Sequence, residues 1–231
     1  NAGGVGGAGG GSSASSSPGG RGSAMHTGNG VTGGIWVDVW GLENPEIIST
    51  LGRHFGLHKL ELEDIVNTHQ RSKTETYGDH VYIVVREAFI DPRDGGLDTD
   101  QISVALGTDW LLTFQEKHGD CFDPVRERIR HRKGKLHASG PDALMYALLD
   151  AVIDSYFPVL EYYGERLETI ELESTDNPSL KVAHEIHDVK RDLLFMRRAI
   201  WPAREAVNTL IRDDSLSGWR EETDEGEGEE G

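Results

Sequence analysis

The chain has 231 residues, enough for one or two domains, and its 40 acidic and 23 basic residues give a formal net charge of −17. This acidity disfavours binding to nucleic acid and to anionic membrane surfaces, because like charge opposes the attraction that phosphate would supply. A single cysteine, Cys121, excludes an internal disulfide framework. The longest uninterrupted apolar runs, 81–85 and 143–149, are too short to span a bilayer, so we expect the chain as given to be soluble.

Composition divides the chain into three parts. Residues 1–34 contain 14 of the 29 glycines and one charged residue, which predicts a disordered Gly/Ser-rich linker or a cloning remnant. Residues 213–231 carry nine acids and one base, which predicts an acidic flexible tail. Residues 35–212 are therefore expected to form the folded domain, with a mixed sheet and helices in 35–140 and long helices in 141–212.

Strand and helix patterns alternate in the first half of the folded part. A strand is predicted at 35–40, a helix that begins at Asn44-Pro45, a short helix over 59–67, and a basic helix that opens at Pro124. Three further segments have the apolar patterns of strands and are expected to form an antiparallel meander: 80–90, 101–106 and 110–114.

From Pro141 the apolar residues recur every three or four positions, which predicts a long helix to residue 176 with a bend at Pro158. Asn177-Pro178 ends this helix, and a second follows to residue 212. The first helix has a net charge of −8 and the second of +3, so an antiparallel pairing would be electrostatically favourable. The predicted fold class is α/β (α+β mixed), with a mixed parallel/antiparallel sheet flanked by helices, followed by a long antiparallel helical hairpin.

Two groups of acidic residues are candidate sites. One is a stripe along the first long helix, which indicates a solvated face but would also suit divalent cations or a basic partner: Asp150, Asp154, Glu161, Glu165 and Glu168. The other is Glu61, Glu63 and Asp64 on the short helix, with Leu62, Ile65 and Val66 expected to face the core. Glu63 and Asp64 project about 100° apart, so a metal site there needs ligands from another segment or subunit.

Enzyme motifs are not evident. His184-Glu185-Ile186-His187 is one residue shorter than the zincin signature, so its two histidines lie at i and i+3. A metallohydrolase using His184, His187 and Asp188 remains an alternative that would require a bound transition metal. The basic run from Arg126 to Lys135 lacks interleaved aromatic residues and is interpreted as a solvated or salt-bridging surface. We therefore do not expect an enzyme.

Four segments together resemble the cytosolic domain of CorA-type magnesium and cobalt transporters. They occur in the family's order and cover nearly all of 35–212: FGLHKLELEDIVNTHQRSK (55–73), TFQEKHGDCFDPVRERIR (113–130), LLDAVIDSYFPVLE (148–161) and AIWPAREAV (199–207). The resemblance implies a homopentameric channel with an N-terminal cytosolic domain, a stalk helix and two transmembrane helices. The family's Gly-Met-Asn pore signature does not occur in this sequence, so only the cytosolic domain is matched and membrane contact is expected through segments absent from it.

The resemblance also implies a role for the acidic residues. In the family, Mg²⁺ bound between neighbouring cytosolic domains holds the closed state, and the matching positions here are Glu63, Asp64 and Asp150. The expected function is therefore a divalent-cation-sensing domain with a regulatory Mg²⁺, or Co²⁺ or Zn²⁺ in its place. Two alternatives stay open: the cytosolic domain of a CorA-like zinc transporter, and a free-standing helical interaction module without ion dependence.

Overall fold

The structure, a computed structural model, describes residues 24–31 (as main chain), 34–117 and 119–212. The elements within these residues are the strands β1 (Ala24–Val31), β2 (Gly34–Trp40), β3 (Lys73–Tyr77), β4 (His80–Ile90), β5 (Leu97–Leu106) and β6 (Trp110–Gln115) and the helices α1 (Pro45–Phe55), α2 (Lys59–Val66), α3 (Asp123–Arg130), α4 (Pro141–Asp154), α5 (Tyr156–Asp176) and α6 (Leu180–Arg212), with a short 3₁₀ turn at Leu136–Ala138.

The six strands form one sheet in the order β1-β2-β6-β5-β4-β3. Strands β4, β5 and β6 pair antiparallel, which confirms the predicted meander. Strand β2 runs parallel to β6, with Ile35 opposite Trp110 and Trp40 opposite Gln115. The sheet is therefore mixed, as predicted, and its one parallel pair joins segments that are far apart in the sequence.

Strand β1 corrects the expectation that residues 1–34 form a linker without regular structure. Ala24–Val31 pairs antiparallel with β2, from Ala24 opposite Trp40 to Gly28 opposite Trp36, with a register shift before Val31. Main-chain hydrogen bonds between strands do not require apolar side chains, so composition alone did not reveal this edge strand. The other residues predicted as linker, 1–23 and 32–33, and the predicted acidic tail, 213–231, lie outside the described residues.

Two helix boundaries follow from proline. Asn44 caps α1 by accepting a hydrogen bond from the Glu46 amide at 3.0 Å, and Pro45 is its first residue, as predicted. The predicted single helix after Pro141 is instead divided at Ser155 into α4 and α5. Pro158 has no amide hydrogen to donate to the carbonyl of Asp154 four residues earlier, which explains why the break precedes the proline rather than coinciding with it.

The sheet is buried on both faces. The face that carries Val37, Tyr82 and Leu112 packs against Ile48 of α1 and Ile65 of α2, and we call it the α2 face. The opposite face, which we call the α4 face, carries the alternate residues of the same strands and packs against α3 and α4 through the following side chains: Trp36, Ile83, Val104, Leu111, Val125, Leu144 and Leu148. Helices α2 and α4 therefore lie on opposite sides of the sheet.

Helices α5 and α6 form the predicted hairpin. Their apolar side chains make one cluster that includes Val159, Ile170, Val182 and Val189, and the Tyr163 hydroxyl donates a hydrogen bond to Asp192 across the pair at 2.9 Å. Residues 171–181, at the turn of the hairpin, are exposed.

Among the described residues, the helical stretch Pro141–Asp176 is long and apolar enough to span a membrane by length and composition, with a mean hydropathy of 1.5 over an 18-residue window. However, 44% of that window is buried inside the fold, and Leu144, Leu148 and Val152 of α4 belong to the core under the sheet. We therefore interpret this stretch as a core helix.

Candidate metal-binding residues

Helix α2 carries two of the candidate ligands, Glu63 and Asp64. His58 and Glu61 form a capping box at its start, in which the His58 side chain accepts from the Leu60 amide and Glu61 accepts from the His58 amide. Ile65 is fully buried on the α2 face and fixes the rotation of the helix. The side chain of Glu63 is consequently exposed and borders an apolar groove of about 540 Å³ between α1 and α2.

Asp64 is already engaged in an ion pair. Its Oδ2 lies 2.6 Å from the Nζ of Lys73 on β3, and the same Nζ lies 3.0 Å from Oε1 of Glu75. Tyr77 donates a hydrogen bond to the other Glu75 oxygen at 2.9 Å. Burial alone would lower the pKa of Lys73, but the hydrogen bonds to Asp64 and Glu75 raise it, so the ammonium is held in its charged form.

Asp150, the third candidate ligand, lies on α4 and is exposed. Leu148, Leu149 and Val152 of the same helix are buried, so the helix turns Asp150 away from the sheet. Glu63 and Asp64 belong to the helix that covers the α2 face, and Asp150 belongs to the helix that covers the α4 face. One chain therefore does not bring the three carboxylates together. Consistently, no group of three or more His, Cys, Asp or Glu that could hold a metal ion occurs in the part of the chain that the structure describes.

The other sequence candidates are solvent-facing. All five residues of the acidic stripe are exposed: Asp150, Asp154, Glu161, Glu165 and Glu168. His184 and His187 are exposed on α6 and Asp188 is half-buried, where it pairs with Arg191 at 3.1 Å. A groove of about 770 Å³ beside α6 is lined by charged residues and by Phe195 and Trp201, and it contains none of the candidate ligands.

The short helix also contains a buried acid that the sequence did not distinguish. The sequence pattern does not separate Glu61 from Glu63 and Asp64, but Glu61 is 0% exposed and its carboxylate lies 2.9 Å from Nε2 of His80. The other ring nitrogen of His80 lies 3.1 Å from Asp79. Burial alone would lower the pKa of His80, but the hydrogen bonds to Glu61 and Asp79 raise it above its ordinary value. The Glu61–His80 pair attaches α2 to the first residue of β4. Val66 of the same helix is predicted to face the core but is 50% exposed.

A second buried charge network joins β2 to α3. Asp38 is 0% exposed, and its Oδ1 accepts hydrogen bonds from Thr113 and Gln115 at 2.7 Å each. Its Oδ2 accepts from Nε and Nη2 of Arg126 at 3.0 and 2.6 Å. Arg126 therefore does not belong to a solvated surface, although the rest of the basic run, Arg128 to Lys135, is largely exposed.

Arg126 also binds a second buried carboxylate. It donates to both oxygens of Asp120 at 2.7 and 2.6 Å and to Asp123 at 2.9 Å. Burial raises the pKa of Asp38 in spite of the guanidinium beside it. For Arg126, burial alone would lower the pKa, but Asp120 and Asp38 raise it further above its usual range. The network is a structural clamp between sheet and helix, because every polar group of the guanidinium faces a carboxylate.

A family profile described as "CorA-like Mg2+ transporter protein" matches residues 32–226. The chain belongs to this family. It is a family of ion transporters, and the match covers both faces of the sheet and the helical hairpin.

Two curated relatives give the extent of the CorA similarity. The cobalt/magnesium transport protein CorA of Thermotoga maritima is 39% identical over 178 residues, which are 77% of this chain and 51% of that protein. The putative metal ion transporter YfjQ of Bacillus subtilis is 27% identical over 186 residues, which are 80% of this chain and 56% of that protein. The chain thus spans about half the length of the curated relatives that it matches.

Solved structures of the CorA family and related proteins share the fold. The soluble domain of CorA from Methanocaldococcus jannaschii superimposes with a TM-score of 0.66 at 16% identity, over 81% of this chain and 77% of that one. The cytoplasmic domain of ZntB from Vibrio parahaemolyticus gives a TM-score of 0.67 at 13% identity, over 86% and 85%. At these identities the similarity shows the fold alone.

Proposed function

We propose that this chain is the cytosolic, divalent-cation-sensing domain of a CorA-type magnesium/cobalt transporter. The observation that carries the proposal is the division of the acidic candidates between two sides of the domain, with Glu63 and Asp64 on α2 and Asp150 on α4. In a closed ring, each subunit contacts its two neighbours through different surfaces. Contact between the α2 side of one subunit and the α4 side of the next would bring the two groups together.

The donor set suits Mg²⁺. This ion prefers oxygen ligands, retains several of its waters, and is commonly held by one or two carboxylates rather than by an all-protein cage. Two or three carboxylates at a subunit interface meet this requirement, and Co²⁺ also accepts carboxylate and water ligands. The residues therefore fit a sparse site shared between neighbours, which a single chain does not complete.

Cation sensing follows from the electrostatics of such an interface. Without a metal, carboxylates that face one another across subunits repel, and a bound divalent cation reverses this contribution. A ligand shifts a conformational equilibrium only through its different affinities for the two states. Mg²⁺ would therefore stabilise the closed arrangement of a homopentamer at the cytoplasmic face of the cell membrane, in which the membrane-spanning segments belong to parts outside this chain.

Which divalent cation binds is inferred from the names of similar proteins. The Thermotoga protein, which is 39% identical, is named for cobalt and magnesium transport, and this favours the same ions here. Similarity to the ZntB domain is one of fold, at 13% identity, and gives zinc less support. Measurements of metal dependence should therefore compare Co²⁺ and Zn²⁺ with Mg²⁺.

The test measures metal-dependent association and thermal stability of the 231-residue chain. Sedimentation and thermal melts are recorded with MgCl₂, CoCl₂ or ZnCl₂ against NaCl at matched ionic strength, for the parent and for Asp64→Asn and Asp150→Asn. Glu161→Gln is the matched control, because it removes one exposed acidic charge outside the proposed site. Binding to the assembled form contributes RT ln(1 + [L]/Kd), about 2.7 kcal/mol at a hundredfold excess over Kd.

We expect Mg²⁺ to promote association of the parent and of Glu161→Gln, and each asparagine variant to lose most of this increment. Generic screening of a protein with net charge −17 would respond to ionic strength and hardly notice one carboxylate. Equal increments in the parent and in both asparagine variants would refute the site.

A further inference from the structure

The Lys73 ammonium lies between the carboxylates of Asp64 on α2 and Glu75 on β3. It is 2.6 Å from Asp64 and 3.0 Å from Glu75, and its side chain is 30% exposed. Strand β3 brings Lys73 beside α2 because alternate residues of this strand face opposite sides of the sheet: Tyr77 packs on the α2 face, whereas Thr74 donates a hydrogen bond to the Ala206 carbonyl of α6 at 2.8 Å.

This position affects any cation that binds Asp64. Mg²⁺ lies about 2.0 to 2.1 Å from its carboxylate ligands, and the ammonium already occupies one side of the same carboxylate. A metal on the free side of Asp64 would lie about 5 Å from the Lys73 charge, and the two cations would repel each other. The metal and the ammonium therefore compete for one carboxylate.

Lysine is suited to such competition. Its charge is concentrated at the end of a flexible four-carbon chain, so the ammonium can withdraw into solvent without moving the main chain. The Asp64 side chain is 14% exposed and that of Glu75 is 40% exposed, so the cluster borders the solvent into which the ammonium would move. The ion pair compensates Asp64 when no metal is bound, and its loss is part of the cost of binding one.

We propose that Lys73 sets the affinity of Asp64, a ligand that α2 contributes to the proposed site, for the divalent cation by competing with the cation for this carboxylate. The inference rests on the proposed function and adds a residue to it. This competition weakens metal binding. The occupancy of the site therefore changes with cation concentration over a range in which a pair of carboxylates without a counter-charge would stay saturated. Lys73 is a positioning and affinity-determining residue, and it is not itself a ligand.

The test compares Lys73→Gln with Lys73→Arg and Lys117→Gln. Glutamine keeps a hydrogen-bond donor for Asp64 but removes the charge, whereas arginine keeps the charge. Lys117 is the matched control, because its ammonium also bridges two carboxylates, Asp100 at 2.9 Å and Asp98 at 3.8 Å, away from α2. Each variant is titrated with MgCl₂ at constant ionic strength, with association by sedimentation and the melting temperature as readouts, and urea unfolding without metal confirms that each is folded.

We expect the Mg²⁺ concentration at half-response to fall about tenfold in Lys73→Gln, as estimated for charges of +1 and +2 about 5 Å apart at the dielectric constant of water. Lys117→Gln should respond at the parent's concentration, and Lys73→Arg, which keeps the charge, at no lower concentration than the parent. A response at the parent's concentration in Lys73→Gln, or an equal shift in Lys117→Gln, would overturn the inference.

The failures of the two proposals can be told apart. If the parent responds, Asp150→Asn does not, and Lys73→Gln behaves as the parent, the shared metal site stands and the role of Lys73 falls alone. If Mg²⁺ changes neither the parent nor Lys73→Gln, both fall. If Lys73→Gln responds and the parent does not, competition by Lys73 is supported and the parent's site is too weak to act as proposed.

Discussion

Replacing Arg126 tests the buried clamp between β2 and α3. Arg126→Met keeps much of the side-chain volume but removes the positive charge that lies between Asp38, 0% exposed, and Asp120, whose side chain is 3% exposed. Four hydrogen bonds of 2.6 to 3.0 Å to these two carboxylates are lost. Two buried carboxylates then lack a counter-charge, which is the situation in which breaking a buried ion pair is most destabilising.

The expected loss is about 3 to 5 kcal/mol in the free energy of unfolding, the range for removing one partner of a buried pair. For a domain of this size, that corresponds to a fall in melting temperature of roughly 6 to 20 °C. The loss should be smaller at pH 5 than at pH 8. Burial already raises the pKa of Asp38 in the parent, and without Arg126 the pKa rises further. The folded state then binds more protons than the unfolded state, so stability falls as pH rises from the unfolded pKa through the folded pKa.

Urea unfolding at both pH values measures these differences, and Arg128→Met is the matched control on the same helix. Arg128 is exposed, so its replacement should change the free energy of unfolding by less than about 0.5 kcal/mol. If Arg126→Met costs no more than Arg128→Met, or if its cost does not depend on pH, the clamp does not stabilise the fold as argued.

Three further predictions concern other elements. The hydrogen bond to Glu61 helps to raise the pKa of His80 above 6.5. The contribution of this pair to the free energy of unfolding is therefore fully present below the unfolded pKa and is lost as pH rises through the folded pKa. His80→Gln should remove this part of the pH dependence of urea unfolding, and an unchanged pH profile would contradict the prediction. Gly107→Ala places a Cβ against the Trp110 indole and should cost about 1 to 3 kcal/mol by thermal melts. Gly164→Ala in α5 meets open space and should stabilise by about 0.5 to 1 kcal/mol in the same assay, so a loss there would be evidence against the described helix.

Sequence patterns predicted the elements whose side chains are uniformly buried or clearly capped. The segment from His80 to Ile90, which is apolar on both faces over most of its length, predicted β4 with its observed bounds, and Asn44-Pro45 predicted the start of α1. The polar strand β3, with sequence KTETY, was not predicted, because it is an edge strand whose neighbours are β4 on one side and α6 above Thr74. Strand β1 was missed for a related reason, since its pairing depends on the main chain.

Sequence patterns could not predict which charged residues pair in the interior. Asp38 and Arg126 are 88 residues apart and Glu61 and His80 are 19 apart, so neither pair produces a local or periodic signal. The capping-box position of Glu61 after His58 was a local signal that could have separated it from Glu63 and Asp64. Glu63 and Asp150 are exposed and the side chain of Asp64 is 14% exposed. Whether these carboxylates meet depends on contacts between subunits, and a sequence pattern within one chain does not specify those contacts. The shared metal site therefore stays a prediction.

The parallel pairing of β2 with β6 also determines when the sheet can close during synthesis. Ile35 pairs with Trp110, so a ribosome that adds about 5 to 20 residues per second delivers the partner of β2 roughly 4 to 15 s after β2 itself. During that interval Trp36, Val37 and Val39, all buried in the final fold, have no sheet to join. Strand β1 is synthesised before β2 and pairs with the edge of β2 opposite to β6. The nascent chain can therefore form the β1–β2 hairpin first, while the other edge of β2 stays unpaired until β6 has been synthesised.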